Sequence, residues 1–403
     1  MNQVIVIGGG AAGMMAALTA AEDTRNRVLL LERQSRVGRK LLATGNGRCN
    51  LTNIHASIEN YHGEDRDFAA PALARFTPRD TLAFFGALGL LTVTEPSGRV
   101  YPLSDSANSV VDVLRFALAQ RGVDVRCGCP VRELRRETAG YAAVCDDETL
   151  HADDLIVACG GAAGEKLGGV MDGYQLLKPL GHKRTALYPS LVQLLTGTDY
   201  PRALKGVRAD AALRLCGGSE LLAAGGGELQ FTEKGVSGPA AFDVSRAAAT
   251  GGTGLTLHID FLRLVETDEL LRLLRRRCET FPALESAELL TGMLHNRLGR
   301  VLLKAAGLPQ GVPLAELTER QLAAVAAVCK DFTLPVTGTE GFDHAQVTAG
   351  GIRTAGLNAE TLESWFMPRL FICGELLDID GDCGGFNLQW AWASGRMAGR
   401  LGR

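Results

Sequence analysis

The sequence predicts an α/β fold in which a Rossmann-like dinucleotide-binding domain carries an inserted small β-barrel domain and a helical subdomain. Three observations predict it. The chain opens with a buried strand, a glycine turn and a helix, and it closes with a second strand, turn and helix. Between these ends the pattern changes first to short strands with glycine turns and then to helical spacing.

The composition bounds the class of protein. The chain has 403 residues and 46% hydrophobic content, which is enough for two or three domains with buried cores. A formal net charge of -3 gives no overall attraction to nucleic acid or membrane, so we expect a small-molecule substrate and neither of those partners. The absence of a signal peptide pattern and of an apolar run of bilayer length favours a cytoplasmic protein.

The ten cysteines are scattered and form no CxxC pair. We therefore expect neither a metal site nor a local disulfide redox centre. The sequence leaves the oligomeric state open.

The strongest local motif lies at the N-terminus. An apolar run over residues 4–7 predicts a strand buried on both faces, and residues 11–21 predict a helix that begins with Ala11 and Ala12. Between them the G-x-G-x-x-G spacing is formed by Gly8, Gly10 and Gly13. These glycines suit a tight turn, close approach of a pyrophosphate and close packing of helix on strand, with the helix N-terminus directed at the phosphates.

A second strand completes this motif. Residues 28–31 are apolar and end at Glu32, about twenty residues beyond the glycines, where an acid hydrogen-bonds ribose hydroxyls. The complete pattern predicts a dinucleotide site but does not separate NAD from FAD.

The loop after Glu32 is basic and rich in glycine. Cations and free backbone N–H groups stabilise a pyrophosphate and a ring system laid across strand ends, so this loop favours FAD. The alternative is an ordinary solvated loop. The predicted cofactor contacts in it are Arg33, Arg39, Lys40, Thr44, Gly45, Asn46, Gly47, Arg48, Cys49 and Asn50.

A third apolar segment, residues 155–161, predicts another strand that enters a glycine turn. It resembles a second dinucleotide motif, but Ala162 stands where the second glycine is needed. We therefore predict no separate NAD(P)H domain. Val131, Ala158 and Gly160 join the predicted cofactor contacts.

The C-terminal region predicts a strand at residues 371–373, an acidic loop, a double glycine and a helix over residues 386–401. Reduction of a flavin leaves negative charge near N1 and the C2 carbonyl, which a helix N-terminus stabilises. We expect the pyrimidine edge of the ring to contact Asn387 and Gln389. The other predicted contacts of this region are Gly374, Glu375, Asp378, Gly384, Gly385 and Phe386.

A family resemblance follows from five pieces of the sequence: GGGAAGMMAA, VGRKLLATGNGRCNLTN, FTEKGVSGPA, VTAGGI and GELLDIDGDCGGFNLQWAWASG. In this order they resemble the YhiN-type NAD(P)/FAD-dependent oxidoreductases, which include aminoacetone-oxidase-like and bile-acid-reductase-like flavoproteins. The flavoprotein subunits of fumarate reductase are similar at greater distance. The resemblance implies noncovalent FAD, a Rossmann-like domain built from both ends of the chain, and an inserted barrel with a helical domain.

The middle of the chain is consistent with that insertion. Glycine turns separate short strands from about residue 188, and helical spacing begins near residue 267, with a capping box formed by Thr318 and Gln321. We predict a cofactor domain over 1–187 and 341–403, a barrel over 188–260 and 330–340, and a helical subdomain over 261–329.

The segment 346–352 returns the chain to the first domain, and we expect Gly350 to approach the flavin ring. The similar turn of fumarate reductases carries a substrate-binding histidine where this chain has Gln346. That departure argues against a dicarboxylate substrate.

The predicted function is an FAD-dependent oxidoreductase that moves a hydride through flavin N5, reducing an enone-like or other small apolar substrate with NAD(P)H as donor. The proton donor is unassigned, with Cys49, Cys383, His55 and Tyr101 as candidates. Two alternatives stay open: a flavoprotein of RNA modification and a flavin sensor without turnover.

Overall fold

The computed structural model describes residues 1–197 and 199–403. The chain divides into two compact units. The first contains Met1–Tyr188 and Ala345–Arg403, and the second contains Pro189–His344. Among the described residues, no helix is long and apolar enough to cross a membrane.

The N-terminal segment alternates helices with short strands. Its helices are α1 (Ala11–Ala20), α2 (Arg39–Ala43), α3 (Ala70–Arg75), α4 (Pro78–Ala87), α5 (Ala107–Gln120) and α6 (Asp172–Leu177). Its strands are β1 (Asn2–Ile7), β2 (Asn26–Glu32), β3 (Thr52–Asn53), β4 (Tyr61–His62), β5 (Thr92–Thr94), β6 (Arg99–Pro102), β7 (Asp124–Cys127), β8 (Val131–Arg136), β9 (Tyr141–Cys145), β10 (Thr149–Ala152), β11 (Asp154–Val157) and β12 (Tyr188–Ser190).

The second unit is built on a closed barrel in the order β13-β16-β15-β14-β17-β18. Its strands are β13 (Leu194–Thr196), β14 (Arg208–Gly217), β15 (Glu220–Phe231), β16 (Gly235–Ser237), β17 (Leu255–Asp260) and β18 (Phe332–Thr339). Its helices are α7 (Asp199–Leu204), α8 (Pro239–Thr250), α9 (Thr267–Thr280), α10 (Asn296–Ala305) and α11 (Glu319–Lys330). The predicted capping box is present at the start of α11, where Thr318 and Gln321 cap each other. The barrel and the helices α9, α10 and α11 therefore lie in the same unit.

The C-terminal segment completes the first unit with β19 (Val347–Ala349), β20 (Leu370–Ile372), β21 (Asp380–Gly381) and α12 (Phe386–Gly399). The main sheet of the first unit has the order β20-β11-β1-β2-β7, and all four strand pairings in it are parallel. Val4 and Val6 of β1 are fully buried, as expected for a parallel strand covered on both faces. The predicted α/β fold, with a Rossmann-like sheet and an inserted barrel, is confirmed.

Helices α1 and α12 pack in parallel at close range. A Cβ atom on Gly395 would lie 2.4 Å from the carbonyl oxygen of Ala12, and one on Gly399 would lie 2.5 Å from that of Ala16. Ala12 is the second residue of α1 and Gly395 the tenth of α12. The difference, ten minus two, means that α12 begins eight residues, or about 12 Å, before α1 along their shared direction.

Candidate cofactor site

The three motif glycines between β1 and α1 have different surroundings, since two pack closely against the protein and one faces open space. A Cβ atom on Gly13 would lie 1.8 Å from the carbonyl oxygen of Gly8, and one on Gly8 would lie 2.4 Å from that of Ala158. Gly10 differs, because no described protein atom lies within 4 Å of the position its Cβ would take. Packing within the protein therefore explains why glycine is needed at positions 8 and 13. Gly10, in contrast, leaves room beside the α1 N-terminus.

Glu32 ends β2 beside this turn. Its Oε2 accepts the backbone N–H of Gly9 at 2.7 Å, and its Oε1 accepts that of Gln34 at 2.7 Å. A carboxylate has about four acceptor positions, so each oxygen can still accept a ribose hydroxyl. These two bonds fix the carboxylate at the end of β2, where the motif requires it.

The basic side chains after β2 have separate partners. Arg33 lies 3.6 Å from Asp172, and Arg39 donates to Gln34 Oε1 at 2.6 Å. Lys40 Nζ contacts both carboxylate oxygens of Glu375, at 2.9 and 2.7 Å. The structure thus brings Lys40 and Glu375 together from opposite ends of the chain, whereas Arg33 and Arg39 lie in pairs nearer the surface.

The loop from Thr44 to Asn50 contains a run of left-handed backbone. Positive φ angles occur at Gly45 (56°), Asn46 (57°), Gly47 (85°) and Cys49 (63°). The loop is closed by the Cys49 N–H, which donates to the Thr44 carbonyl at 2.9 Å. Cys49 is fully buried, and burial raises the pKa of its thiol to about 12. The Cys49 side chain therefore belongs to the hydrophobic core.

Arg48 leaves this loop toward β6. Its guanidinium pairs with Asp105 and with Glu95, the latter at 3.4 Å, and lies 4.0 Å from the ring centroid of Tyr101. Arg48 is therefore held by two carboxylates and an aromatic face.

Asn50 contains an unsatisfied buried atom. Its Oδ1 is shielded from solvent and has no hydrogen-bond partner among the residues that the structure describes. It lies 2.8 Å from the position that a Cβ atom on Gly385 would take. A buried acceptor without a donor is costly, by about 1–3 kcal/mol, and is explained when a ligand supplies the donor.

Four further predicted contacts lie at the ends of strands. Ala158 is buried beyond β11, and its N–H donates to the Ile7 carbonyl at 2.8 Å. Gly160 has no described atom within 4 Å of its Cβ position, whereas a Cβ on Gly350 would lie 2.0 Å from the Ala186 carbonyl. Val131 begins β8 in the separate sheet β10-β9-β8, where its side chain belongs to the hydrophobic core.

Polar groups of the loop before α12 form hydrogen bonds with neighbouring parts of the protein. The Gly374 N–H donates to Ser394 Oγ at 3.0 Å, and Glu375 Oε1 also accepts the Thr348 N–H at 2.9 Å. Asp378 is buried, and its Oδ2 accepts the N–H of Glu64 at 3.0 Å.

The double glycine places the α12 N-terminus against β3 and β4. The Gly384 carbonyl accepts from Asn53 Nδ2 at 3.0 Å, and a Cβ on Gly385 would lie 2.5 Å from the Thr52 carbonyl. The hydroxyl of Tyr61 donates to the carbonyl of the buried Phe386 at 3.0 Å. The contacts fix the start of a helix whose first turn contains no acidic residue.

Gln389 and Asn387, which we expected to contact the flavin ring, both hydrogen-bond to the protein itself. Gln389 is fully buried: its Oε1 accepts from the hydroxyls of Thr52 and Thr81 at 2.7 and 2.8 Å, and its Nε2 donates to the Phe76 carbonyl at 2.7 Å. Asn387 accepts the Gly381 N–H at 2.8 Å and donates to the Gly381 carbonyl at 2.7 Å. Both amides thus have hydrogen-bond partners within the protein, and their contact with the ring stays a prediction.

The remaining geometry fits FAD. Two helix N-termini, neither with an acid in its first turn, are offset by about 12 Å along one direction, which suits a pyrophosphate at one and an anionic ring edge at the other. Gly10 leaves space at the first N-terminus, and the buried Asn50 Oδ1, which has no partner among the described residues, lies near the second. Within the described part of the chain, no group of three or more His, Cys, Asp or Glu side chains could hold a metal.

The candidate proton donors differ in burial and in the groups that they contact. Cys49 is buried with a raised pKa, and His55 is exposed. Cys383 Sγ lies 3.9 Å from Arg99 Nη2. Arg99, which no sequence motif singles out, lies two residues before Tyr101 in β6. The period of two in a strand was the available signal, because it places both side chains on one face.

The chain is similar to known proteins over nearly its whole length. Residues 2–401 match the family model described as HI0933-like protein Rossmann domain. The chain is 40% identical to 3-dehydro-bile acid delta(4,6)-reductase of Clostridium scindens, covering 99% of this chain and 98% of that protein. It is 30% identical to ribosomal RNA dihydrouridine synthase of Escherichia coli, covering 97% and 95%.

A solved structure supports the fold. The 3-ketosteroid delta1-dehydrogenase from Sterolibacterium denitrificans is similar with a TM-score of 0.52 and 13% identity, covering 99% of both chains. The family resemblance that the motifs predict is confirmed, and the chain is an oxidoreductase. It belongs to the HI0933-like Rossmann-domain family.

Proposed function

We propose that this enzyme binds FAD noncovalently and reduces a carbon–carbon double bond conjugated with a carbonyl group in a small apolar substrate, with NAD(P)H as donor. The observation that carries the cofactor assignment is the offset pair of helix N-termini at Gly10 and Gly385. The substrate class is supported by the relative named 3-dehydro-bile acid delta(4,6)-reductase, which is similar over nearly the whole chain.

The residues have distinct tasks in this proposal. Backbone N–H groups at the start of α1 hold the pyrophosphate, and Glu32 accepts a ribose hydroxyl. The α12 N-terminus, worth about half a positive charge, stabilises the pyrimidine edge of the ring. Asn50 Oδ1 accepts a hydrogen bond from that edge. When bound, FAD supplies the two-electron chemistry, and the protein supplies orientation and electrostatics.

The names of both relatives are consistent with one reaction type. A 3-dehydro compound with double bonds at positions 4 and 6 is a conjugated dienone, and uridine has a ring double bond conjugated with a carbonyl. Addition of a hydride to the far carbon and of a proton to the carbon beside the carbonyl saturates either bond. A common reaction with different substrates therefore accounts for both names.

Anaerobic stopped-flow mixing tests the proposal. The purified protein should contain FAD that is released on denaturation, and NADH or NADPH should bleach its flavin absorbance. The reduced protein, mixed with a steroid 4,6-dien-3-one, should regain the oxidised spectrum and yield a product heavier by two hydrogens. Isolation with FMN, with covalent flavin, or with FAD that the dienone cannot reoxidise would contradict the proposal.

A second candidate, reduction of a uridine in ribosomal RNA, is favoured by the relatives of that name at 30% and 27% identity. The same reduced protein mixed with unmodified ribosomal RNA distinguishes the two. Dihydrouridine in digested RNA, without turnover of the dienone, would select the RNA substrate. A flavin sensor would give slow reduction by both pyridine nucleotides.

A further inference from the structure

We propose that Tyr101 is the proton donor for this reduction and that Arg99 and Arg48 stabilise the phenolate it leaves. This inference rests on the proposed function. It concerns one face of a small sheet in the first unit, where β6 pairs with β5 and β3.

The strand geometry places the two key side chains together. Arg99 and Tyr101 are two residues apart in β6, so they point to the same face, while Val100 between them is fully buried on the other. The ring carbon Cε1 of Tyr101 lies 3.2 Å from the position of a Cβ on Gly45. Arg99 Nε lies 3.3 Å from the corresponding position on Gly384. Tyr101 and Arg99 thus lie beside the two glycine turns that we expect to hold the flavin ring.

The Tyr101 hydroxyl is available for chemistry. The side chain is 7% exposed, yet its hydroxyl makes no hydrogen bond to any residue that the structure describes. The Arg48 guanidinium covers one ring face at 4.0 Å. Within the described ranges, Arg99 has no carboxylate partner, and its side-chain contact is Cys383 Sγ at 3.9 Å. Tyr101 thus has two guanidinium neighbours, Arg48 on its ring face and Arg99 on the same face of β6, and Arg48 is also paired with Glu95 and Asp105.

The charged and titratable groups around Tyr101 support this role. Burial raises the pKa of Tyr101 above its ordinary value, and Glu95 and Cys383 add to the rise, while Arg99 and Arg48 lower it. A phenol of raised pKa is protonated at neutral pH, so the acid form is present when substrate binds. The two guanidinium groups then offset the charge that appears on the oxygen.

Other acids near the glycine turns are less suitable. The Cys49 thiol is fully buried with a pKa raised to about 12. The Tyr61 hydroxyl is buried and already donates to the Phe386 carbonyl. Asn50 and Asn387 are amides and cannot act as general acids. Tyr101 combines an acidic proton, partial access and cationic neighbours.

Hydride and proton transfer together would complete the reduction. The hydride for the far carbon of the conjugated double bond would come from reduced FAD, which would be oxidised in the step and regenerated by NAD(P)H. The carbon–carbon double bond becomes single as the substrate is reduced. The Tyr101 O–H bond breaks, and a C–H bond forms at the carbon beside the carbonyl. Water then reprotonates the Tyr101 phenolate.

Stopped-flow reoxidation of the photoreduced holoenzyme tests the inference, using a steroid 4,6-dien-3-one as oxidant. Tyr101→Phe should slow reoxidation by the dienone by about 100-fold or more, in the range that loss of a general acid produces. Reoxidation by ferricyanide, which transfers no proton to carbon, should be unchanged, as should the Kd of the apoprotein for FAD. In D2O the wild-type rate with the dienone should fall, whereas the residual rate of the variant should be less sensitive.

Tyr141→Phe is the matched control, because it removes a hydroxyl that donates to the Pro368 carbonyl in a different sheet. Its rates should equal those of the wild type. Arg99→Met should slow the dienone reaction, and Arg99→Lys, which keeps a cation, should restore part of the rate.

The outcomes separate two kinds of failure. A wild-type protein that the dienone does not reoxidise would overturn the proposed function together with this inference. A wild type that is reoxidised at the same rate as FAD-loaded Tyr101→Phe would overturn the proton-donor assignment alone. A parallel loss with ferricyanide would also overturn it, since the defect would then lie in the flavin environment.

Discussion

The ammonium group of Lys40 is bound by both carboxylate oxygens of Glu375, a residue 335 positions later in the sequence. Glu375 also accepts the Thr348 N–H, so one carboxylate joins α2, β19 and the loop after β20. Both side chains are mostly shielded, with 29% and 21% of their surfaces exposed. The pair therefore stabilises the junction between the N-terminal and C-terminal segments of the first unit.

Lys40→Met should lower the stability of the first unit. Loss of a hydrogen-bonded, shielded ion pair costs about 1–3 kcal/mol, which corresponds to a fall in Tm of about 2–4 °C per kcal/mol for a unit of this size. The control is Lys205→Met, which breaks a pair with Glu233 that is 63% and 53% exposed and should lower stability less, because solvent screens the pair. Thermal melts of the two apoproteins make the comparison. Equal losses would show that the buried position of the Lys40 pair adds nothing.

Gly10→Ala should weaken FAD binding, whereas Gly13→Ala should lower the stability of the apoprotein. The Gly10 Cβ position is open, so Gly10→Ala should leave the apoprotein melt unchanged and weaken FAD binding at least about tenfold through contact with the pyrophosphate. Gly13→Ala should destabilise the apoprotein, because its Cβ would lie 1.8 Å from the Gly8 carbonyl oxygen. Fluorescence titration with FAD and thermal melting measure both. Unchanged FAD affinity in Gly10→Ala would move the pyrophosphate away from this turn.

Asn50→Ala should separate apoprotein stability from cofactor affinity. The variant removes a buried acceptor that lacks a partner, so the free energy of unfolding of the apoprotein should stay level or rise. The FAD Kd should increase by about tenfold, since one hydrogen bond to the ring is lost. Urea unfolding and FAD titration test the two parts. A less stable apoprotein with unaltered FAD affinity would assign Asn50 a purely structural role.

His182 should make stability fall in mild acid. Its ring is buried beside Ser364 and Phe366, and burial lowers its pKa to about 4. An unfolded chain binds this proton near pH 6.5, whereas the folded protein binds it only near pH 4. The unfolded state is therefore favoured as the pH falls from about 6.5 to 4, by up to about 3 kcal/mol, and the effect is absent above that range.

Urea unfolding at pH 7.5 and pH 5 checks this effect, with His182→Asn expected to reduce the difference between the two conditions. His151→Asn serves as the control, because that side chain is 64% exposed and should leave the difference intact. If all three proteins lose the same free energy between these pH values, the acid sensitivity arises elsewhere.

The backbone of the cofactor site was predictable because its signals are local. The spacing of Gly8, Gly10 and Gly13 between an apolar strand and a helix fixes a strand, turn and helix within about twenty residues. Glu32 follows by the same spacing rule. The double glycine before α12 similarly identifies the start of that helix.

Side-chain directions depended on distant partners and were not predictable. Gln389 turns inward because Thr52 and Thr81, more than 300 residues earlier, supply hydroxyls for its amide. Asn387 is held by the local loop at Gly381, a hydrogen-bond choice that residue type alone does not specify. Neither the ion pair of Lys40 nor the unsatisfied oxygen of Asn50 leaves a trace in the sequence pattern.

Because α1 packs against α12, the first unit cannot be completed until the C-terminal helix has been synthesised. Ala12 meets Gly395, which follows it by 395 minus 12, or 383, residues. At about 5–20 residues per second, a ribosome needs about 20 to 80 s to make that interval. During that time the side of α1 that later meets α12 has no partner, so chaperones have access to a half-built cofactor site. Early capture of FAD would therefore have to rely on the N-terminal contacts at α1, at Glu32 and in the loop after β2.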